Sequence, residues 1–197
     1  MSMPNPKRTA VRVQKVRLYP DVEMKQVLDE LCDYRRYCWN EALALWNDMY
    51  EQSLILDDRK SRPSEYKVRN ELVAEKKDWQ YALSARVLQL SVSDLNKAFR
   101  NFFDKAQTDW GKPKFKSKKA PRQGFKTDRA RIVNGKLLLD RPHESRHKKK
   151  WTAIPFKGAK SLEGDLKVVS VYRENGRYYA SLPFEVDIRK KEKTGRC

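Results

Sequence analysis

Residues 87–119 read VLQLSVSDLNKAFRNFFDKAQTDWGKPKFKSKK, and the two ends of this stretch are made of different material. In its first part Leu88, Val92, Leu95, Phe99 and Phe102 fall at the i, i+3, i+4, i+7 spacing that lines one side of an amphipathic helix. After Trp110 and Gly111 that signal stops, and Lys112, Lys114, Lys116, Lys118 and Lys119 are interleaved with Pro113, Phe115 and Ser117. Pro113 denies a helix at that point, so the lysines are displayed along an extended strand or loop. A buried helix thus delivers the chain into a cationic ribbon with an aromatic at its centre, which is what a polyanion-binding surface needs from a scaffold.

Composition extends this reading to the whole chain. Its 197 residues carry 44 Lys+Arg against 26 Asp+Glu, a formal charge of +18 at pH 7. An excess of that size points to nucleic acid before it points to any fold. With 39% hydrophobic and 11% aromatic residues the chain can build a core of one domain or two small ones, which excludes a disordered tail. No run approaches the roughly 18 to 20 apolar residues of a membrane span, and residues 1–8 lack an apolar signal-peptide core. The expected location is therefore the cytoplasm, in association with the nucleoid, with no membrane partner. Cys32, Cys38 and Cys197 are odd in number and form no CxxC pair, so neither a disulfide framework nor a zinc site is indicated. Cys32 and Cys38 are expected in helix packing, as small apolar residues.

Upstream of the ribbon, residues 9–19 read as a strand, with Val11 and Val13 on one face and Val16 and Leu18 on the other. The switch of parity predicts a bulge near Gln14 and Lys15. A lone strand cannot stand in water and no second one follows nearby, so its partners must lie beyond residue 120. Pro20 ends the strand, and Asp21 is placed to cap a helix running to about Leu56, with Leu28, Leu31, Cys38, Ala42, Leu45 and Met49 as a stripe that Arg35 interrupts. Tyr37 and Trp39 read first as core packing and second as platforms for bases. A polar loop at 57–63 leads to a second helix over 64–78, with Tyr66, Val68, Leu72 and Val73 as its weak apolar side. A third helix covers 85–109.

Downstream, residues 112–160 are far richer in cations than solubility requires. Asn134-Gly135 and Asn175-Gly176 are the favoured two-residue turns of β-hairpins, here joining 129–133 to 136–139 and 166–173 to 177–184. Tyr178, Ala180, Leu182 and Phe184 alternate with Tyr179, Ser181 and Pro183, so one face is buried. The expected fold is α+β: an antiparallel β-barrel or curled sheet into which a helical module of about 90 residues is inserted after the first strand.

Residues 143–147, His-Glu-Ser-Arg-His, match the HExxH pattern of zinc peptidases. Pro142 precedes them, Lys148 to Lys150 follow, and no apolar helix flanks them, so a chance match in a basic loop is the expectation. There is no GxxxxGK[ST] or GxGxxG loop, no supported Ser/His/Asp set, and no acidic cluster that asks for magnesium. No catalytic site is expected in this chain, and no metal or other cofactor.

The order LYPD (18–21), RYCWN (36–40), VLQLSVSDLNKAFRNFF (87–103), GKPKFKSKK (111–119), GFKTD (124–128) and SVYRENGRYYASL (170–182) resembles the TnpB (OrfB) proteins of bacterial insertion sequences, relatives of the type V CRISPR effectors. The likeness runs from about Val11 to Cys197. The corresponding region of that family is also called a transposase helix-turn-helix domain. The resemblance implies an oligonucleotide-binding-like wedge barrel built from residues 9–20 and 111–187, a helical recognition lobe over 21–110, and a basic linker at 188–197 leading toward a RuvC nuclease domain.

What the family does is RNA-guided cleavage of DNA: base pairing reads the target sequence, and the protein reads shape and a short flanking motif. By resemblance, Gln89 matches a glutamine that faces the target-adjacent duplex, where its amide could bond adenine; a solvent-facing polar residue is the plainer reading. Lys126 and Thr127 match a barrel segment near the same duplex, and Tyr66 and Arg69 fall in a second-helix region close by. Lys112, Lys114, Lys116, Lys118, Lys119, Arg122, Arg129 and Arg131 would hold RNA or heteroduplex phosphates. The implied partners are a structured transposon-end guide RNA, duplex DNA with a target-adjacent motif, and a separate RuvC-bearing chain. The RuvC carboxylates and later CxxC pairs do not occur in these residues, so magnesium and zinc are expected only with that other part, and this chain is expected to bind without cutting. A stand-alone regulator that occupies transposon ends, or a remnant of a decayed transposase gene, is the alternative.

Overall fold

A computed structural model describes residues 9–106, 109–142 and 151–187. The HExxH-like run, the linker at 188–197 and Cys197 lie outside the described residues. β1 (Thr9–Leu18) is followed by α1 (Val22–Ile55), a 3-10 turn (Arg59–Ser61), α2 (Glu65–Ala74), the one-turn α3 (Asp78–Tyr81) and α4 (Ala85–Phe103). Among the described residues seven strands follow: β2 (Arg122–Thr127), β3 (Arg131–Val133), β4 (Lys136–Leu138), β5 (Ile154–Lys157), β6 (Asp165–Leu166), β7 (Val169–Glu174) and β8 (Arg177–Asp187).

The first strand lies in the middle of the sheet. The order is β2-β7-β8-β1-β5-β4-β3, with β6 added to β8, and every pairing is antiparallel. Among the described residues β2 and β3 are the two edges, and the sheet they form is a curled half-barrel rather than a closed barrel. β1 pairs with β8 along its whole length, Thr9 opposite Asp187 through Leu18 opposite Tyr178, and its last two residues also pair with β5. That register is unbroken, and the bulge expected near Gln14 and Lys15 is absent. Val16 and Leu18 are buried, whereas Val11 and Val13 are each 60% exposed on the outer face. The change of parity records which half of the strand is covered, not an extra residue.

Asp21 caps α1 as its position dictates, its Oδ1 accepting from the Met24 N–H at 2.7 Å, while Oδ2 accepts from the Thr152 hydroxyl at 2.7 Å. α1 buries Leu28, Leu31, Cys32, Tyr34, Cys38, Ala42 and Leu43 in a core to which α4 contributes Leu88, Val92, Leu95 and Phe99; Trp46 stacks on Phe99. The same core continues into the sheet through Phe125, Val169, Val171, Ala180 and Leu182. Burial pushes the Cys32 and Cys38 thiols up to about 12, as expected for cysteines used as small apolar residues. Asp29 ties α1 to the last hairpin, accepting from Arg173 Nη1 at 2.7 Å and from the Tyr178 hydroxyl at 2.9 Å.

Three other boundaries differ from expectation. α2 stops at Ala74, and the chain restarts as α3, where Gln80 Oε1 accepts from the Lys77 N–H at 2.7 Å. α4 ends at Phe103 because Asp104 is extended and its carboxylate takes the Ala106 N–H at 3.0 Å, a local turn that competes with the helix. The last hairpin starts at Val169, with β6 pairing separately with Glu185 and Phe184. Both hairpin turns have the positive φ that Asn-Gly supplies, 49° and 69° in each. No helix among the described residues is long and apolar enough to cross a membrane.

Candidate nucleic-acid interface

The cationic ribbon is held on α1 by side chains of that helix. Trp39 Nε1 donates to the Lys114 carbonyl at 2.9 Å. Asn40 grips the next residue but one from both sides, its Nδ2 donating to the Lys116 carbonyl at 3.1 Å and its Oδ1 accepting the Lys116 N–H at 2.8 Å. This is the bonding a neighbouring strand would provide, delivered by one amide. Beyond it, Gln123 Nε2 lies within 3.0–3.1 Å of the carbonyls of Ser117, Lys118 and Ala120 and fixes the turn into β2. The ribbon therefore has a set path although it belongs to no helix or strand, and Lys112, Lys114, Lys118 and Lys119 are exposed along it.

Lys116 is placed differently. Its ammonium sits 4.3 Å from the Trp39 ring centroid, and the Arg35 guanidinium lies 5.1 Å from the same ring. The residue as a whole is exposed, and its charged end is covered on one side by the indole. Desolvation first, then the nearby Arg35 and Lys126 charges, push its pKa below the ordinary lysine value, with Asp94 opposing.

Where α1, α4 and β2 meet, carboxylates hold the cations. Asp94 takes Arg35 Nη2 at 3.0 Å and Lys126 Nζ at 2.7 Å. Asp128 receives Arg86, which also donates to Gln89 Oε1. That bond to Arg86 holds the Asp128 carboxyl below the usual carboxylate range.

Of the residues singled out in the sequence, Gln89, Lys126 and Thr127 are thus brought to one junction. Thr127 is buried, and its hydroxyl accepts the Arg129 N–H at 3.1 Å. Tyr66 and Arg69 sit together on α2, guanidinium over ring at 5.6 Å. Arg129 pairs with Asp140 at 3.4 Å, Arg131 is exposed at the start of β3, and Arg122 stacks on Tyr172 at 3.7 Å. Tyr172 stacks in turn on its cross-strand neighbour Tyr179.

Between α1, the ribbon, β2 and β7 a cleft of about 510 Å³ opens. Gly124 is required in its wall: a Cβ there would come within 2.6 Å of the Val171 carbonyl oxygen and 2.7 Å of Tyr172 Cβ.

Sequence reasoning passed over Arg35, Asn40, Asp94 and Arg86. The available signal was Arg35 itself, since a cation in an apolar stripe requires a partner on whatever covers it. No group of three or more His, Cys, Asp or Glu side chains able to hold a metal occurs among the described residues.

Residues 12–54, the span from β1 to the end of α1, match the family model for the helix-turn-helix domain of IS605-type OrfB proteins. The match supports reading this span as the N-terminal region of a TnpB/OrfB insertion-sequence protein. The OrfB match points to DNA binding in a transposase-related protein. Within the matched span the chain forms a strand, a turn at Pro20 and one 34-residue helix, not two short helices across a turn. Within the matched span α1 serves as the platform for the ribbon. No curated protein matches the chain.

Proposed function

We propose that this chain is the nucleic-acid-binding module of a TnpB-like RNA-guided system, one that holds structured transposon-end RNA and the duplex beside a target and leaves strand cleavage to a RuvC domain. The observation that carries the reading is the clamped ribbon: Trp39, Asn40 and Gln123 order its backbone and leave Lys112, Lys114, Lys118 and Lys119 turned to solvent. Ordered cations lose less conformational freedom on meeting a phosphate backbone than cations on a mobile tail do. The curled sheet acts as the wedge barrel of the family, and α1 to α4 act as its recognition lobe. Gln89 reads the target-adjacent duplex, with Arg86 orienting its amide so that Nε2 remains available to a base. Lys126 and Thr127 position the β2 end of that junction, Tyr66 and Arg69 extend the surface along α2, and Arg122, Arg129 and Arg131 add phosphate contacts from the sheet.

The test is binding of the purified chain to RNA transcribed from the adjoining transposon end, against a scrambled RNA of equal length, over a salt series. Preference for the cognate RNA that survives about 0.2 M salt is the expected result. Equal binding to both, lost together as salt rises, would leave only a cationic fragment.

A further inference from the structure

The cleft beside the ribbon has a charge arrangement that its own residues do not balance. Arg35, Arg36, Lys116, Arg122 and Lys126 all line it. Asp94 serves Arg35 and Lys126, and Asp33 serves Arg36 at 3.1 Å, but Lys116 and Arg122 are laid against aromatic rings instead. Even the paired guanidiniums are incompletely used. The Arg35 side chain is 11% exposed and its Nη1 is buried without a hydrogen-bond partner among the described residues; Arg36 Nε is in the same condition. A buried donor left unmatched is costly, and an oxyanion seated at Arg36 would relieve that one while its other lone pairs accept from neighbouring cations.

The remaining walls favour a base. Phe115 lines the same cleft and is 60% exposed, in the middle of a ribbon whose backbone is fixed on either side. The guanidinium of Arg122, 3.7 Å over the Tyr172 ring that itself stacks on Tyr179, offers a second planar group. Aromatic and guanidinium planes are what unpaired bases stack on, whereas a base inside a duplex already has its stacking partners.

We propose that the cleft takes one unpaired nucleotide of a bound nucleic-acid strand, its phosphate among Arg36, Lys116 and Arg122 and its base stacked on Phe115. The proposal rests on the nucleic-acid-binding reading above and adds a subsite that distinguishes a single strand from a duplex. Orienting the phosphate toward Lys116 and Arg122 uses the two cleft cations that form no direct ion pair with a carboxylate among the described residues. Stacking the base on Phe115 gives the one exposed aromatic of the ribbon a partner.

The experiment uses the full chain and fluorescent ten-nucleotide homopolymers, ribo and deoxyribo, beside a duplex of the same length, with Phe115→Ala and Arg122→Gln as variants checked for native circular dichroism. Phe115→Ala should weaken at least one of the single strands about tenfold and the duplex less than twofold. The strand affected, RNA or DNA, identifies the natural occupant. A 2-aminopurine in that strand should be quenched by the wild-type protein and not by Phe115→Ala. If the variants bind single strand and duplex like wild type, or lose both equally, the nucleotide subsite is wrong while the broader binding reading stands. If the wild-type chain itself binds no nucleic acid, both fail.

Discussion

The junction of α1, α4 and β2 and the ribbon that crosses α1 are both rich in cations, yet they treat them in opposite ways. At the junction each cation meets a carboxylate: Arg35 and Lys126 share Asp94, and Arg86 holds Asp128. Along the ribbon the grip is on the backbone, through Trp39, Asn40 and Gln123, and the cationic heads face solvent or an aromatic ring. An ion pair removes a charge from the field a ligand senses; a backbone clamp or a cation–π contact fixes its position and leaves the charge intact. A net charge of +18 therefore says less about the binding surface than the manner in which each cation is held.

Removing Trp39 should blur the contrast most. Trp39→Ala deletes a side chain only 8% exposed, the donor to Lys114 and the ring beneath Arg35 and Lys116. We expect a loss of about 3–5 kcal/mol in urea unfolding, together with protease cleavage within 112–119 that the wild type resists. Rapid wild-type cleavage at the same site would mean that the ribbon is not held.

A smaller effect should come from the junction. Asp94→Asn leaves Arg35 and Lys126 without their shared charge and should cost about 2 kcal/mol of stability. Nucleic-acid affinity should rise rather than fall, because a carboxylate leaves a cationic surface. A drop in affinity at unchanged fold would show that Asp94 positions its cations for the ligand, and the two regions would then work alike.

The smallest effect should appear in acid. Hydrogen bonding to Met24 N–H and to Arg86 lowers the folded-state pKa of Asp21 and Asp128 respectively. Folding thus favours both ionised forms; their contribution is complete above about pH 4 and is lost as pH falls through the folded values. Melting temperature followed from pH 6 to pH 2 should decline at the acid end, and Asp128→Asn should make that decline shallower.

Much of the frame was legible in the sequence because it is written in local chemistry. The stripe from Leu88 to Phe99, Asp21 as a cap and Asn-Gly at both hairpins each depend on residues within one or two turns, and each appears where the spacing placed it. The outer half of β1 misled because alternation shows which residues share a face, not whether anything covers that face. At the interface the lysines were visible as a run. Their clamps were not, since Asn40 and Lys116 are 76 residues apart and an amide on a helix carries no sign of the backbone it will bind.

The strand Thr9–Leu18 is made first and completed last. Its main partner, β8, ends at Asp187, so a ribosome must add the intervening residues before the central pairing of the sheet can form. At common synthesis rates that wait is on the order of ten to thirty seconds. The helices between can form from local contacts in a small fraction of that time. A nascent chain would therefore present its helices beside a strand whose whole β8 edge is open, and this protein's need for a chaperone should be greatest just before the last hairpin emerges.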